Sequence, residues 1–414
     1  MAKPDILEPI PTTGTPQAVG AAFGAINAEI TREHVADFLR ACSSHGLDEA
    51  AAIEKSQRGL EIIRTLAPYW EHEMDALAGA AGIDPEVYKA FAIGKYRELF
   101  WGQPECTSYA AAGSYVPFEG TSFHKSRDNV TRLQCCFTRR LECRVCGPYA
   151  WCGTGDTSDA TTCMFVNERG LAGSADTGAP TGDFYGDGLM NTFSLMYIAE
   201  TCADCDQALA TLQEWSDNRF YAGGRIKTNY MFSDAAGTVI RVVQDNVGLE
   251  TQSTTDGIIV NCERKHLESG LGRMAGYLDA WALTEASRIK SVSMPSTISS
   301  LSVDCRPEAP EYLTCAWFAL GIPLRSPYVP VFVASTTTPR ALLDGSLYRR
   351  SMPSRVRIGQ IRQMEAGFRR KACECREQVQ ALIAAGDTDA VAACTEQCTN
   401  DCVKTVFDTM TGDV

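Results

Sequence analysis

Gln103-Pro104-Glu105-Cys106-Thr107-Ser108 is where the texture of this chain changes. Ahead of it, apolar residues recur at three- and four-residue steps: Val19, Phe23, Ile26 and Ile30, then Ile62, Ile63, Leu66 and Tyr69. That spacing predicts helices from about Pro16 to Tyr96. Asp84-Pro85 predicts a cap with proline at the first helical position. Residues 1–12 are proline-rich and expected to be extended, with nothing strand-like before position 105.

After Cys106 come short strand-like segments: Thr107 to Ala112, Ser122 to Lys125, Thr162 to Val166 and Leu171 to Ser174. Tyr230 to Ser233 and Val239 to Gln244 are joined through Asp234-Ala-Ala-Gly237, a hairpin signal, and Gly257 to Asn261 is a further strand. Leu189 to Trp215 predicts two helices. The tail from Met352 to Met410 predicts more, broken near Gly386. Strand pairs alternating with helix pairs imply an α+β layered fold rather than a parallel doubly wound sheet.

Charge narrows the function classes. The 414 residues carry 38 basic and 51 acidic side chains, a net charge of −13. Arg139-Arg140 and Arg369-Arg370-Lys371 are the longest basic clusters, too short to attract a phosphate backbone, so nucleic acid is not an expected partner. No apolar run of spanning length occurs, and no membrane partner is expected. The first ten residues lack the apolar segment of a signal peptide, which makes a cytoplasmic protein with mostly reduced thiols the expectation. Eighteen cysteines then need another explanation.

Cys106, at the boundary, suits a nucleophile that becomes a new amino terminus. A thiol beside a free α-amine needs no histidine, because the amine takes the proton. Its pKa of roughly 7.7–8.0 suits a base near neutrality. The chain would have to cut itself between Glu105 and Cys106 by attack of the thiol on the preceding carbonyl.

Several stretches, taken in order, resemble the acyl-coenzyme A:6-aminopenicillanate acyltransferase (isopenicillin N acyltransferase) family of N-terminal-nucleophile hydrolases. They also show features of the choloylglycine hydrolases and cysteine dipeptidases. Thr13-Gly14-Thr15-Pro16 resembles the family's opening segment, and Glu73 to Ile83 resembles its propeptide helix. Cys106-Thr107-Ser108 matches the nucleophile motif, and Lys125-Ser126-Arg127-Asp128 stands where relatives carry Arg-Asn-x-Asp. Asn167-Glu168-Arg169-Gly170-Leu171 matches an Asn-Glu-x-Gly-Leu turn, and Val260-Asn261 a later strand. Ser326 to Pro330 is closest to the dipeptidases.

The resemblance implies a four-layer αββα fold. Residues 1–105 would be a helical pro-segment or α chain, 106–350 the catalytic domain and 351–414 a cysteine-containing helical tail. It implies Cys106 as nucleophile, Asp128 holding its amine, and Lys125 or Arg127 as a cation lowering the thiol pKa. Lysine would offer a point charge where relatives have the fixed fork of arginine. Asn261 and Asn167 would donate to the oxyanion, and Arg288 would be a late active-site cation. Glu105 departs from the family's glycine, and a bulky charged residue there would slow self-cleavage. The implied substrate is a small amide, acyl-amine or short peptide, with water or an amine accepting the acyl group. No cofactor is expected, and an oligomer is left open.

The other cysteines cluster at positions 135–163, in a stretch after Arg132 expected to be an insert, and at 373–402. Cys143-x-x-Cys146 and Cys202-x-x-Cys205 have metal or redox spacing, but the five histidines show none. His266 fits a solvated polar residue. Cys394, Cys398 and Cys402 share one helical face, as buried free thiols or as partners in disulfides. Two rivals remain: a dipeptidase of the same superfamily, and a non-catalytic cysteine-rich metal-binding protein on this fold.

Overall fold

The computed structural model describes residues 5–98, 106–129, 133–143, 147–159, 161–180, 187–222, 226–245, 247–261, 265–352 and 356–410. Two short strands, β1 (Pro9–Pro11) and β2 (Thr13–Gly14), precede five helices: α1 (Pro16–Ile26), α2 (Ala28–Ser44), α3 (Glu49–Leu66), α4 (Pro68–Ala81) and α5 (Pro85–Glu98). Local chemistry starts and stops them. The Thr15 side chain accepts from Ala18 N and Pro16 opens α1, while Gly82 ends α4 at φ +70°. Asp84 caps α5 as expected, its Oδ1 accepting from Glu86 N at 2.8 Å. α1 lies against α4 through Gly20 and Gly24. A Cβ at either would stand 2.3 Å from a carbonyl oxygen of α4, so only glycine permits the approach.

Beyond Cys106 the order is β3 (Thr107–Ala112), β4 (Thr121–Asp128), β5 (Gln134–Leu141), β6 (Trp151–Asp156), β7 (Met164–Asn167) and β8 (Ala172–Pro180). Then come α6 (Asn191–Thr201), α7 (Cys205–Asp217), β9 (Ile226–Ser233), β10 (Val239–Gln244), β11 (Leu249–Thr254) and β12 (Gly257–Val260). α8 (Lys265–Gly272), α9 (Ala280–Ser287), β13 (Thr297–Cys305), α10 (Pro310–Leu313), β14 (Cys315–Leu320), β15 (Val329–Phe332) and β16 (Thr337–Pro339) follow. The chain closes with α11 (Arg340–Leu343), α12 (Ser346–Ser351), α13 (Ile358–Ala385) and α14 (Asp389–Thr409).

One sheet has eight strands in the order β11-β10-β9-β8-β7-β6-β5-β2, and the other six, β12-β3-β4-β13-β14-β15. The sheets face each other, with β3 and β4 of the smaller touching β8 and β9 of the larger. α1 to α7 share a core with the outer face of the eight-stranded sheet, while α8, α9, α13 and α14 cover the six-stranded one. The fold is therefore α+β in four layers, αββα, as the resemblance implied.

The structure corrects two expectations. Strands do occur before position 105: β1 pairs antiparallel with β16, and β2 runs parallel to β5. Each is two or three residues long, and their partners lie more than 120 residues away, so no local period reveals them. The cysteine-rich stretch after Arg132 is likewise no insert. It holds β5 and β6 in the larger sheet, where the adjacent Cys135 and Cys136 pack into different cores, one per face. β13 escaped notice because its serines 299, 300 and 302 are all buried, satisfied by Gln134, Ser126 and His124 rather than by apolar packing.

The first five helices are tied to the larger sheet by buried polar contacts. Glu73 pairs with Arg139 and Lys95 with Asp159. Tyr69 and Trp70 both donate to Glu200 Oε2, at 2.7 and 2.8 Å. Burial pushes the Glu73 carboxyl up to about 7, with Arg139 pulling the other way. Residues 16–98 are thus an outer layer of the common core.

Candidate active site

The antiparallel registers bring the start of β3, the end of β4, the end of β12 and the start of β13 to one end of the six-stranded sheet. Thr107 is opposite Ser126, Tyr109 opposite Val260 and Asp128 opposite Thr297. Cys106 stands there, one residue ahead of β3 and half-buried. Its Sγ lies 3.9 Å from the Asp128 carbonyl oxygen. One step past the last ladder pair sets Cys106 across from Arg127.

Alternation along β4 sorts its side chains. Lys125 and Arg127 face the larger sheet, whereas His124, Ser126 and Asp128 face the helices. Asp128 is buried, and Thr297 Oγ1 donates to its Oδ1 at 2.5 Å. The Cys106 thiol and the Asp128 carboxylate therefore come from adjoining segments, and the carboxylate is held by a third strand.

A polar floor lies beneath. Lys125, fully buried, pairs with Asp176 of β8 and donates to Ala175 O at 3.2 Å. Ser108 Oγ donates to Asp176 Oδ1 at 2.9 Å, and Asn261 Nδ2 donates to Asp176 Oδ2 at 2.8 Å. Asn261 is fixed further: its backbone N–H donates to Ser108 O at 2.7 Å, its Oδ1 accepts from Arg241 Nε at 2.9 Å, and its Nδ2 also donates to Asn229 O at 3.3 Å, so its amide is as fully engaged as that of Asn167. Three side chains thus donate to one buried carboxylate, the condition under which a buried ion pair is tolerated.

No protein-family model matches this chain, and no curated protein does. Among solved structures, similar chain paths occur in penicillin V acylase from Agrobacterium tumefaciens, at 15% identity over 55% of this chain and 86% of that one, TM-score 0.37. The Caenorhabditis elegans ortholog of N-acylethanolamine-hydrolyzing acid amidase is similar at 12% identity over 50% and 96%, TM-score 0.37. Conjugated bile acid hydrolase from Clostridium perfringens is similar at 11% over 56% and 96%, TM-score 0.36.

The expected site residues divide into two groups. Cys106, Asp128, Lys125 and Asn261 gather at this end of the sheet, and Arg127 borders it. Lys125 does not stand as an unbalanced cation, because Asp176 neutralises it. Arg127 Nη1 donates to Gln134 Oε1 and Asp156 Oδ1, both at 2.9 Å, bridging the two sheets.

Asn167 and Arg288 have other surroundings. Asn167 sits in the turn between β7 and β8. Its Oδ1 accepts from Arg169 N and Leu171 N, and its Nδ2 donates to Ala199 O and Cys202 O. That is a turn brace tied to α6, with its amide fully engaged. Arg288, at the end of α9, donates from all three nitrogens, to Pro323 O, Glu285 and Glu365, which locks α9 to α13.

Two floor residues escaped the sequence reading. Asp176 was legible only as an acid extending the small-residue strand Leu171 to Ser174. Arg241 occupies an ordinary outward position of a strand. Among the described residues no group of three or more His, Cys, Asp or Glu is placed to hold an ion. Cys205 Sγ instead donates to Thr238 O and Cys202 contacts Thr211, while Cys146 lies outside the described residues. His266 is exposed and bonds Ser291. No helix among the described residues is long and apolar enough to cross a membrane.

Proposed function

We propose that this chain is a self-processing amidohydrolase whose nucleophile is Cys106, cutting a C–N amide bond through a thioester. The observation that carries it is the position of Cys106. It is half-exposed at the head of β3, its thiol directed to Asp128 O, and Asp128 is clamped by Thr297.

In processing, Cys106 Sγ attacks the Glu105 carbonyl carbon, the C–N bond to Cys106 breaks, and water hydrolyses the resulting thioester. The products are the Glu105 carboxylate and a free α-amine on Cys106. In turnover that amine takes the thiol proton as Sγ attacks the substrate carbonyl, then gives it to the leaving amine. Asp128 positions the amine. Asn261 would serve the oxyanion by exchanging its longer bond to Asn229 O for the substrate oxygen, with Lys125 and Asp176 fixing it from below. Water as acceptor makes a hydrolase and an amine an acyltransferase, since the same thioester serves both. Small amides, acyl-amines and short peptides are the substrates this scheme takes.

Intact mass of the purified protein, beside Cys106→Ala, tests the scheme. The wild type should give pieces of 105 and, by difference from 414, 309 residues; the variant should stay whole. The two pieces should co-elute without denaturant, because α1 to α5 belong to the common core. An uncut wild type that hydrolyses amides would sink the α-amine mechanism, and an active Cys106→Ala would sink the nucleophile.

A further inference from the structure

The six-stranded sheet has a second polar end. β13 begins at Thr297, beside Asp128, and runs to Cys305. Asp304 is seven residues further along, about 23 Å away at roughly 3.3 Å per residue. There a cavity of about 280 Å³ opens between α13, the start of α9 and the sheet face.

Its floor is apolar: Trp317, Leu313 and Phe332 line it, and Trp281 meets Trp317 edge-on, with ring centroids 4.6 Å apart. Three arginines, 306, 369 and 376, supply its cations. Among the described residues two acids line the cavity, and both are engaged. Asp279 caps α9, accepting from Trp281 N and Ala282 N. Asp304 Oδ1 accepts from Ser122 Oγ and Ala280 N, leaving Oδ2 for Arg306 at 3.2 Å.

Three arginines against two aspartates leave the lining one charge positive. Arg376 is paired with Glu308. Arg369 has no carboxylate partner among the described residues and lies over the Trp281 ring, 4.8 Å from its centroid. Arg306 Nε is buried and meets no acceptor among the described residues. The Arg306 guanidinium lies over the Phe118 ring, 3.9 Å from its centroid, so Arg369 is the cation best placed to meet an arriving anion. The apolar floor would take a ring that the arginines could not hold alone.

We propose that this cavity binds a small amphipathic anion, an apolar ring bearing a carboxylate or a phosphate. The site is remote from Cys106 and does not depend on the reaction proposed there.

Tryptophan emission of the full-length protein, titrated with 1-naphthyl phosphate and separately with 1-naphthoate, tests it. At least one probe should give a saturable change with a Kd below about 1 mM, and the tighter of the two identifies the head group. Inorganic phosphate should give none, and neutral 1-naphthol should bind at least about tenfold more weakly. Arg369→Gln should weaken the anion about tenfold with an unchanged melting temperature. Trp281→Phe should diminish the optical change while calorimetry still detects binding. Failure of both anions to saturate, equal binding of 1-naphthol, or wild-type affinity in Arg369→Gln would each overturn the proposal.

Discussion

Cys106 and the thiols between α13 and α14 are the same side chain in opposite surroundings. Cys106 is half-exposed, with a carbonyl oxygen against its sulfur and a hydrogen-bonded ion pair in the floor below. Cys375, Cys398 and Cys402 are buried where the two helices pack, with Cys375 Sγ 3.6 Å from Cys394 Sγ. Hydrogen bonds from Cys375 and Cys402 pull the Cys398 thiol down to about 4, while the same bonds, with burial, push Cys375 and Cys402 up, and burial pushes up the neighbouring Cys315. Elsewhere burial takes Cys305 to about 12 and lifts Cys135 and Cys136 well above the usual value. Access to substrate, rather than the number of cysteines or the pull on any one thiol, is what separates the two regions: Cys106 is half-exposed and Cys398 is buried.

The sharpest way to break this contrast is to exchange the roles. Cys106→Ala should lower amide hydrolysis by at least about 10³-fold, whereas Cys398→Ala should keep the rate within about twofold. A rate assay on both decides it, and comparable losses would end the distinction.

The next effect is on stability. Asp176→Ala leaves Lys125 buried without its carboxylate, an expected loss of about 3–5 kcal/mol in urea unfolding. Cys402→Ala, which removes one buried sulfur from the helical pair, should cost only about 1 kcal/mol. A small loss in Asp176→Ala would mean that water reaches the floor.

The smallest effect is a pH dependence. His124 is buried on the helix side of β4, stacked on Tyr109 and bonded to Ser302 and Ser126, with Tyr328 beyond. Burial first, then the Lys125 and Arg288 charges, hold its pKa well below the usual histidine value. The unfolded chain binds a proton below about pH 6.5 that the folded chain refuses, so stability is kept above that pH and lost as pH falls. The slope is up to about 1.4 kcal/mol per pH unit. Glu73, pushed up to about 7, contributes the opposite slope over the same window, so the histidine is read from the urea midpoints of wild type minus those of His124→Gln between pH 7 and 5, a difference that should move against the wild type as pH falls.

What was legible in the sequence follows from range. β3 and β10 span the residues expected, and the α13–α14 break falls at Gly386, φ +74°, because strand and helix periods and a left-handed glycine are local properties. β5 and β13 were missed because buried arginine, cysteine and serine stand where the period calls for aliphatic residues. Cys106 was visible as a boundary, and Asp128 and Asn261 through the resemblance. The resemblance also suggested Asn167 and Arg288, whose side chains the fold engages in bracing a turn and in locking two helices.

By itself, then, the sequence determined the helical first quarter, seven of the sixteen strands among the described residues, the α+β class and the one cysteine at the change of texture. Tertiary structure decided which charges stand alone. Lys125 reads as a free cation until β8, folding from 51 residues later, delivers Asp176. Asn261 reaches the same carboxylate across 85 residues. A charge's partner is set by strand register and sheet stacking, which sum over the whole chain, whereas a period is set by neighbours three or four residues away.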